Sequence, residues 1–161
     1  MDVRIIDMPE KKLLGMRMVM SYSNNRTYEL WHQFMPRRKE IGCTLNSDLY
    51  SLQIYPSGAG PISGNADTLF EKWAAVEVAG FPSIPDGMET MILAAGKYAV
   101  FIHQGPATTF MKTFHFIFNI WMPGTEFEMD DRPHFEVLPE GYRPNDPLAQ
   151  EEIWIPIKFK A

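Results

Sequence analysis

The sequence predicts an α+β domain: two duplicated β-α-β-β units lay their strands into one antiparallel sheet, with two helices on one face and a central groove. Three observations predict it. The order of elements in the first half of the chain repeats in the second. Each half carries an aromatic helix ending, "LWHQFMP" and "IFNIWMP", that stops at Met35-Pro36 or Met122-Pro123. Most other segments alternate apolar and polar residues with the period of two that marks half-buried strands. At 161 residues, the chain is expected to form a single domain with pseudo-repeats over about 1–81 and 82–161.

In chain order, residues 3–7 and 13–22 are strands parted by the polar "PEKK". In the second, Met16, Met18 and Met20 alternate with Arg17, Val19 and Ser21. The Asn/Thr-rich start of "SNNRTYELWHQFMP" suits a helix cap, and Tyr28, Trp31, Phe34 and Met35 follow at helical spacing. Pro36 limits that helix, because its ring removes an amide donor and clashes with the preceding turn. "LYSLQIYP" and "FEKWAAVEVAGF" are strands joined by the Gly/Pro/Ser-rich "PSGAGPISGNAD". The second half opens with "METMILAAGKYAVFIHQG", a strand-like run broken near Ala94 to Lys97. A helix over about Thr108 to Met122 follows. The strands "HFEVLP" and "EEIWIPIKF" end the chain, with a turn-rich stretch between them.

Hydrophobic residues are 45% and charged residues 22%, which argues for an ordered globular chain. A net charge of -5 argues against direct nucleic-acid binding, and the one dense basic run, Arg37 to Lys39, suits a helix end. A single cysteine, Cys43, excludes an internal disulfide and a cysteine metal site; it reads as a buried spectator. His32, His103, His115 and His134 lack H-x-H or H-x-x-x-H spacing, so no metal is expected. No cofactor is expected either: "SGAGPISG" lacks the Lys-Ser/Thr ending of a phosphate loop, and no G-x-S-x-G marks a nucleophile. "FHFIFNIWM" is too short and too polar to span a bilayer, and the N-terminus has no signal-peptide stretch. A soluble, cytoplasmic protein is expected.

Along the second helix Phe110, Phe114, Ile117 and Trp121 form one stripe, widened by Phe116, Phe118 and Ile120. A core helix and a ligand-facing helix both fit that pattern. Each half also ends in a strand that carries a Glu and a Trp on one side: Glu77 with Trp73, and Glu152 with Trp154. A carboxylate beside an aromatic wall suits a cationic or polarised aromatic ligand. If buried, its pKa rises, which would also fit it for acid-base work. An exposed sheet face gives the same alternation.

"AAGKYAVFIHQG", a helix closing in "WMPG", "HFEVLP" and "EEIWIPIK" together resemble the GyrI-like family. This is the effector-binding domain attached to AraC-type and MerR-type bacterial transcription activators, also found alone. The first half agrees with it in element order and length. The resemblance implies a pseudo-twofold domain whose groove, between the repeats, binds hydrophobic and often cationic compounds. It implies an acidic groove residue just ahead of the I-x-I-P-I run, matched by Glu152, or by Glu151 if the register shifts by one. It also implies aromatic groove residues, for which Trp121, Phe118 and Trp154 are the candidates. Glu136 matches the family's F-E pair, with Leu138 where an aromatic residue commonly follows. On this reading the isoleucine face of "EEIWIPIK" packs on the helices and the Glu152 face lines the groove.

No helix-turn-helix segment precedes the first predicted strand, so a stand-alone version is expected. Its function would be multidrug-type binding of hydrophobic, cationic or planar aromatic molecules, in sensing or sequestration. The resemblance carries two alternatives. One is a hydrolase of cyclopropane-containing electrophilic natural products, using Glu152 or Glu77. The other is an interaction protein that partners a regulator or inhibits a topoisomerase such as gyrase.

Overall fold

Two short helices and nine strands make up the computed structural model, which describes residues 2–62 and 65–161. Met1 lies outside the described residues, as do Ser63 and Gly64 of the predicted Gly/Pro/Ser-rich loop. The first half runs β1 (Val3–Met8), β2 (Lys11–Met20), α1 (Thr27–Phe34), β3 (Leu49–Ile54) and β4 (Phe70–Val78). As Pro36 predicts, α1 stops at Phe34, and the chain tightens into a 3-10 turn over Met35–Glu40. The second half runs β5 (Glu89–Leu93), β6 (Gly96–Gln104), α2 (Phe110–Phe116), β7 (Phe127–Met129), β8 (His134–Leu138) and β9 (Gln150–Phe159). The break expected near Ala94 separates β5 from β6. The second helical run changes pitch, passing from α2 into a π turn over Ile117–Trp121 and a 3-10 turn over Met122–Gly124. Cys43 is exposed, a correction to its reading as a buried residue, and sits in a loop with φ 59.

The sheet order is β1-β6-β9-β8-β3-β4-β2-β5, with β7 added against β9. It is palindromic about the β8–β3 seam: β8 corresponds to β3, β9 to β4, β6 to β2 and β1 to β5. Each half therefore gives its first strand to the other, β1 pairing with β6 and β5 with β2. Only Pro9 and Glu10 connect β1 to β2, and only Ala94 and Ala95 connect β5 to β6. In a flat sheet six strand spacings, about 29 Å, would separate each connected pair, while a two-residue link reaches about 11 Å. The sheet must therefore bend until its ends meet.

That bend closes one face on itself. Met8, Leu13, Leu93 and Tyr98, from the two exchanged corners, pack there with Tyr50, Leu52, Trp73 and Phe135. The opposite face carries both helices. Leu30 and Phe34 of α1 lie over Leu14, Met20, Ala74 and Val76 of β2 and β4. On the other side, Ile117 lies over Ala99 and Phe101 of β6 and over Ile153 and Ile155 of β9. Among the described residues no helix is long and apolar enough to cross a membrane.

Gly15 lies where β2 is held between β4 and β5. A Cβ there would overlap the Ala74 carbonyl and stand 2.6 Å from the Ala75 Cα, backbone that cannot step aside. Gly15→Ala is expected to cost about 3 kcal/mol, seen as a lower urea midpoint with an unchanged slope.

Candidate ligand-binding site

Between the two helices the sheet is left uncovered, and a cavity of about 590 Å³ opens there. Tyr28 and Trp31 of α1, with Met35 just beyond its end, form one wall, and Phe110, Met111 and Phe114 form the α2 wall. The floor is polar: Ser51 and Gln53 from β3, Lys72 from β4, Glu136 from β8 and Glu151 from β9. Strand register brings these five together. Ser51 stands opposite Glu136, Gln53 opposite Lys72, and Glu136 opposite Ile153, so all share the helix-bearing face with the β9 isoleucines.

Hydrogen bonds order the floor. The Gln53 amide donates to Glu136 at 3.0 Å and accepts from the Lys72 ammonium. Tyr142 donates its hydroxyl to Glu151 at 3.2 Å, and the Tyr22 and Tyr55 hydroxyls meet at 2.6 Å near the rim. Burial pushes Glu151 up to about 8, the charge of Glu136 adds to the shift, and the Tyr142 bond and Lys72 oppose it. Glu136 is also raised by burial, against the pull of Lys72. The Lys72 ammonium is lowered by burial, against the pull of Glu136 and Glu151. Near neutrality Glu151 therefore holds a proton.

The sequence candidates are placed differently. Glu152, Trp154, Glu77 and Trp73 lie on the face opposite the cavity. Trp154 stacks on Phe135 at 5.1 Å and donates its indole N–H to Glu152 at 3.1 Å, and Glu152 pairs with Arg4 at 2.6 Å. Trp73 repeats the device with Glu71 at 2.6 Å. Glu77 accepts from Tyr50 at 3.2 Å and meets Lys11 at 3.4 Å. Trp121 packs edge-on against Phe101, and Phe118 packs in the same cluster between α2 and the sheet.

The isoleucine face of β9 does pack beneath α2. Contrary to the expectation for the groove, the Glu152 face does not line this cavity, because the bend closes that face and the open space lies between the helices. Glu151, the alternative register, and Glu136 are the acids of the floor. Sequence reading did not single out Lys72, Gln53, Trp31 or Tyr142 as site residues, and it left Phe110 and Phe114 between core and ligand face. One signal was present: on β4, Lys72 interrupts an apolar face of Phe70, Ala74 and Val76.

Residues 1–158 match the family model described as the GyrI-like small molecule binding domain. The transcriptional regulator BrlR of Pseudomonas aeruginosa is 29% identical over 159 residues, which is 98% of this chain and 56% of the regulator. The chain thus spans about half the length of the curated relative it matches. The structure of SAV2435 bound to tetraphenylphosphonium superposes with a TM-score of 0.70 at 18% identity, over 98% of this chain and 94% of that one. A hydrolase encoded by lin2189 from Listeria innocua superposes with a TM-score of 0.63 at 11% identity, over 97% and 91%. At these identities the two structures establish the shared fold.

The raised Glu151 sets a pH dependence. Its folded pKa, about 8, exceeds the ordinary value of 4.5, so between those values the folded state holds a proton that the unfolded state releases. Stability attributable to this group is present below about pH 4.5 and is lost as pH rises towards 8, by up to about 1.4 kcal/mol per unit. Glu136 and Lys72 face the same space and titrate in both proteins compared. Glu151→Gln is therefore expected to gain on the wild type by at least about 3 °C in Tm between pH 5 and pH 8, measured by thermal melts in matched buffers.

Proposed function

The chain belongs to the GyrI-like small-molecule-binding family, and from that premise we propose that it binds lipophilic, cationic or planar aromatic compounds between α1 and α2, in sensing or sequestration. One observation carries this reading: two buried carboxyl groups, Glu136 and Glu151, lie beneath aromatic walls in one cavity. Ring faces attract a cation, and a cation above Glu151 favours loss of its proton, so the site gains its full counter-charge as the ligand arrives. The volume falls within the range of small-molecule sites, about 300–1,000 Å³. The lipophilic cation bound by SAV2435 supports the same ligand chemistry. In this reading Glu151 takes the groove role expected of Glu152, while Glu152, Trp154, Glu77, Trp73, Trp121 and Phe118 hold the scaffold.

Hydrolysis is the second reading, favoured by the pairing of a protonated carboxyl, Glu151, with a second carboxyl, Glu136. That is the acid-base arrangement that opening a strained electrophile with water requires. It predicts that wild type consumes a cyclopropane-containing electrophile and that Glu151→Gln does not.

Binding is tested by thermal shift with tetraphenylphosphonium at pH 8. At about 100 times the dissociation constant the ligand should stabilise the wild type by about 2.7 kcal/mol, with much smaller shifts for Glu151→Gln and Trp31→Ala. Equal shifts in wild type and Glu151→Gln would remove the carboxylate from the reading. No shift at any concentration would remove the lipophilic cation.

A further inference from the structure

Lys72 is the unexpected member of the floor. A site built only to attract cations gains nothing from a buried ammonium, which repels them. Yet Lys72 is 8% exposed, stands on the interior strand β4 and lines the cavity together with Glu136 and Glu151. An ammonium carries three N–H donors. Gln53 accepts one of them, and among the described residues Lys72 makes no other hydrogen bond and no carboxylate contact within 4.0 Å. A buried cation with one donor of three satisfied costs free energy unless an acceptor reaches it, and the open space beside it is the cavity.

Resting on the binding function proposed above, we propose that Lys72 makes this a site for lipophilic zwitterions. The cationic part of such a molecule meets Glu151 and Glu136, its carboxylate accepts from the Lys72 ammonium, and its apolar body lies between Trp31 and Phe110. The unsatisfied donors of Lys72 favour this class over a bare cation. A zwitterion brings the carboxylate acceptor that the ammonium lacks, whereas a bare cation leaves those donors unmet and adds a second positive charge beside them. The two halves of the domain supply the two poles: β4 brings Lys72, while β8 and β9 bring the glutamates. Lys72 is thus a specificity-determining residue.

A matched pair of probes tests it: 9-aminoacridine, a planar aromatic cation, and its 4-carboxylic acid, which carries the same ring cation plus a carboxylate. Dissociation constants are measured by fluorescence titration at pH 7.5 with wild type, Lys72→Met and Lys72→Gln. Wild type is expected to prefer the acid by at least about tenfold. Both variants should reverse that preference by weakening the acid and strengthening the bare cation. A wild type that prefers 9-aminoacridine, or that binds neither probe, overturns the inference whether or not either variant folds. A preference that survives in both variants also overturns it, by assigning the carboxylate to another group. Tetraphenylphosphonium separates the two levels. If it binds while the acridine ratio ignores Lys72, the binding function stands and the zwitterion class falls; if nothing binds, both fall.

Discussion

The parity of β9 governs the rest of the site. Ile153, Ile155 and Ile157 are each 1% exposed and lie beneath the α2 run. Side chains two apart on a strand share a face, so burying these three carries Glu151 to the same side. Burial of three isoleucines contributes on the order of 5–9 kcal/mol. Keeping Glu151 protonated at pH 7 costs about 3 kcal/mol, from the gap between that pH and its ordinary pKa of 4.5 at about 1.4 kcal/mol per unit. The apolar term is larger, so packing places the acid. Glu136 follows from the same choice, because the β8–β9 register sets it beside Ile153.

The exchange of first strands decides which face can hold a ligand. Two-residue links force the sheet to bend, and the residues at the corners fill the face opposite the helices. The Trp–Glu pairs belong to that closed side and obey the pseudo-symmetry, Trp154 with Glu152 on β9 and Trp73 with Glu71 on β4; the arginines beside them, Arg4 of β1 and Arg17 of β2, come from strands that do not correspond. Each carboxylate there accepts an indole N–H and lies near an arginine. The cavity floor breaks the symmetry. Lys72 comes from the first half, and Glu136 and Glu151 come from the second. A duplicated scaffold therefore presents a polarised floor, which two identical halves could not.

The fold was legible because its signals are local. Pro36 and Pro123 mark where the helical runs tighten; strand alternation grouped the isoleucines of β9 on one face, and the family resemblance set that face beneath the helices. The sequence put Glu152 ahead of Glu151, its alternative by one residue, for want of a non-local signal. Alternation says that Glu152 and Trp154 share a face, but not what covers that face; the covering depends on β1 pairing with β6, which no local pattern records. The stripes on both helices were visible too. Whether Trp31 or Phe110 is wall or core depends on how far apart α1 and α2 stand across the sheet. Lys72 left the clearest trace, a charge on an apolar strand face, and its partners Gln53 and Glu136 come from neighbouring strands that only the folded sheet assembles.

Floor and walls constrain a ligand in different ways. The polar floor groups lie on paired strands, and Gln53 and Tyr142 hold Glu136, Lys72 and Glu151 in fixed relation, the kind of support that makes a site selective. The walls are adaptable. Tyr28 is 80% exposed and Met111 50%, and methionine side chains such as Met35 and Met111 reshape at little cost. The α2 wall is anchored from its inner side, where His103 of β6 bonds Thr113 at 2.8 Å and packs against Phe110 at 4.5 Å. His103 pairs with Glu151 across the β6–β9 register, so one strand pair fixes both the acid and the helix above it. Under the proposed binding function, selection by shape would therefore be loose and selection by charge strict, with the walls adapting to a molecule's outline while the floor holds its charged groups in place.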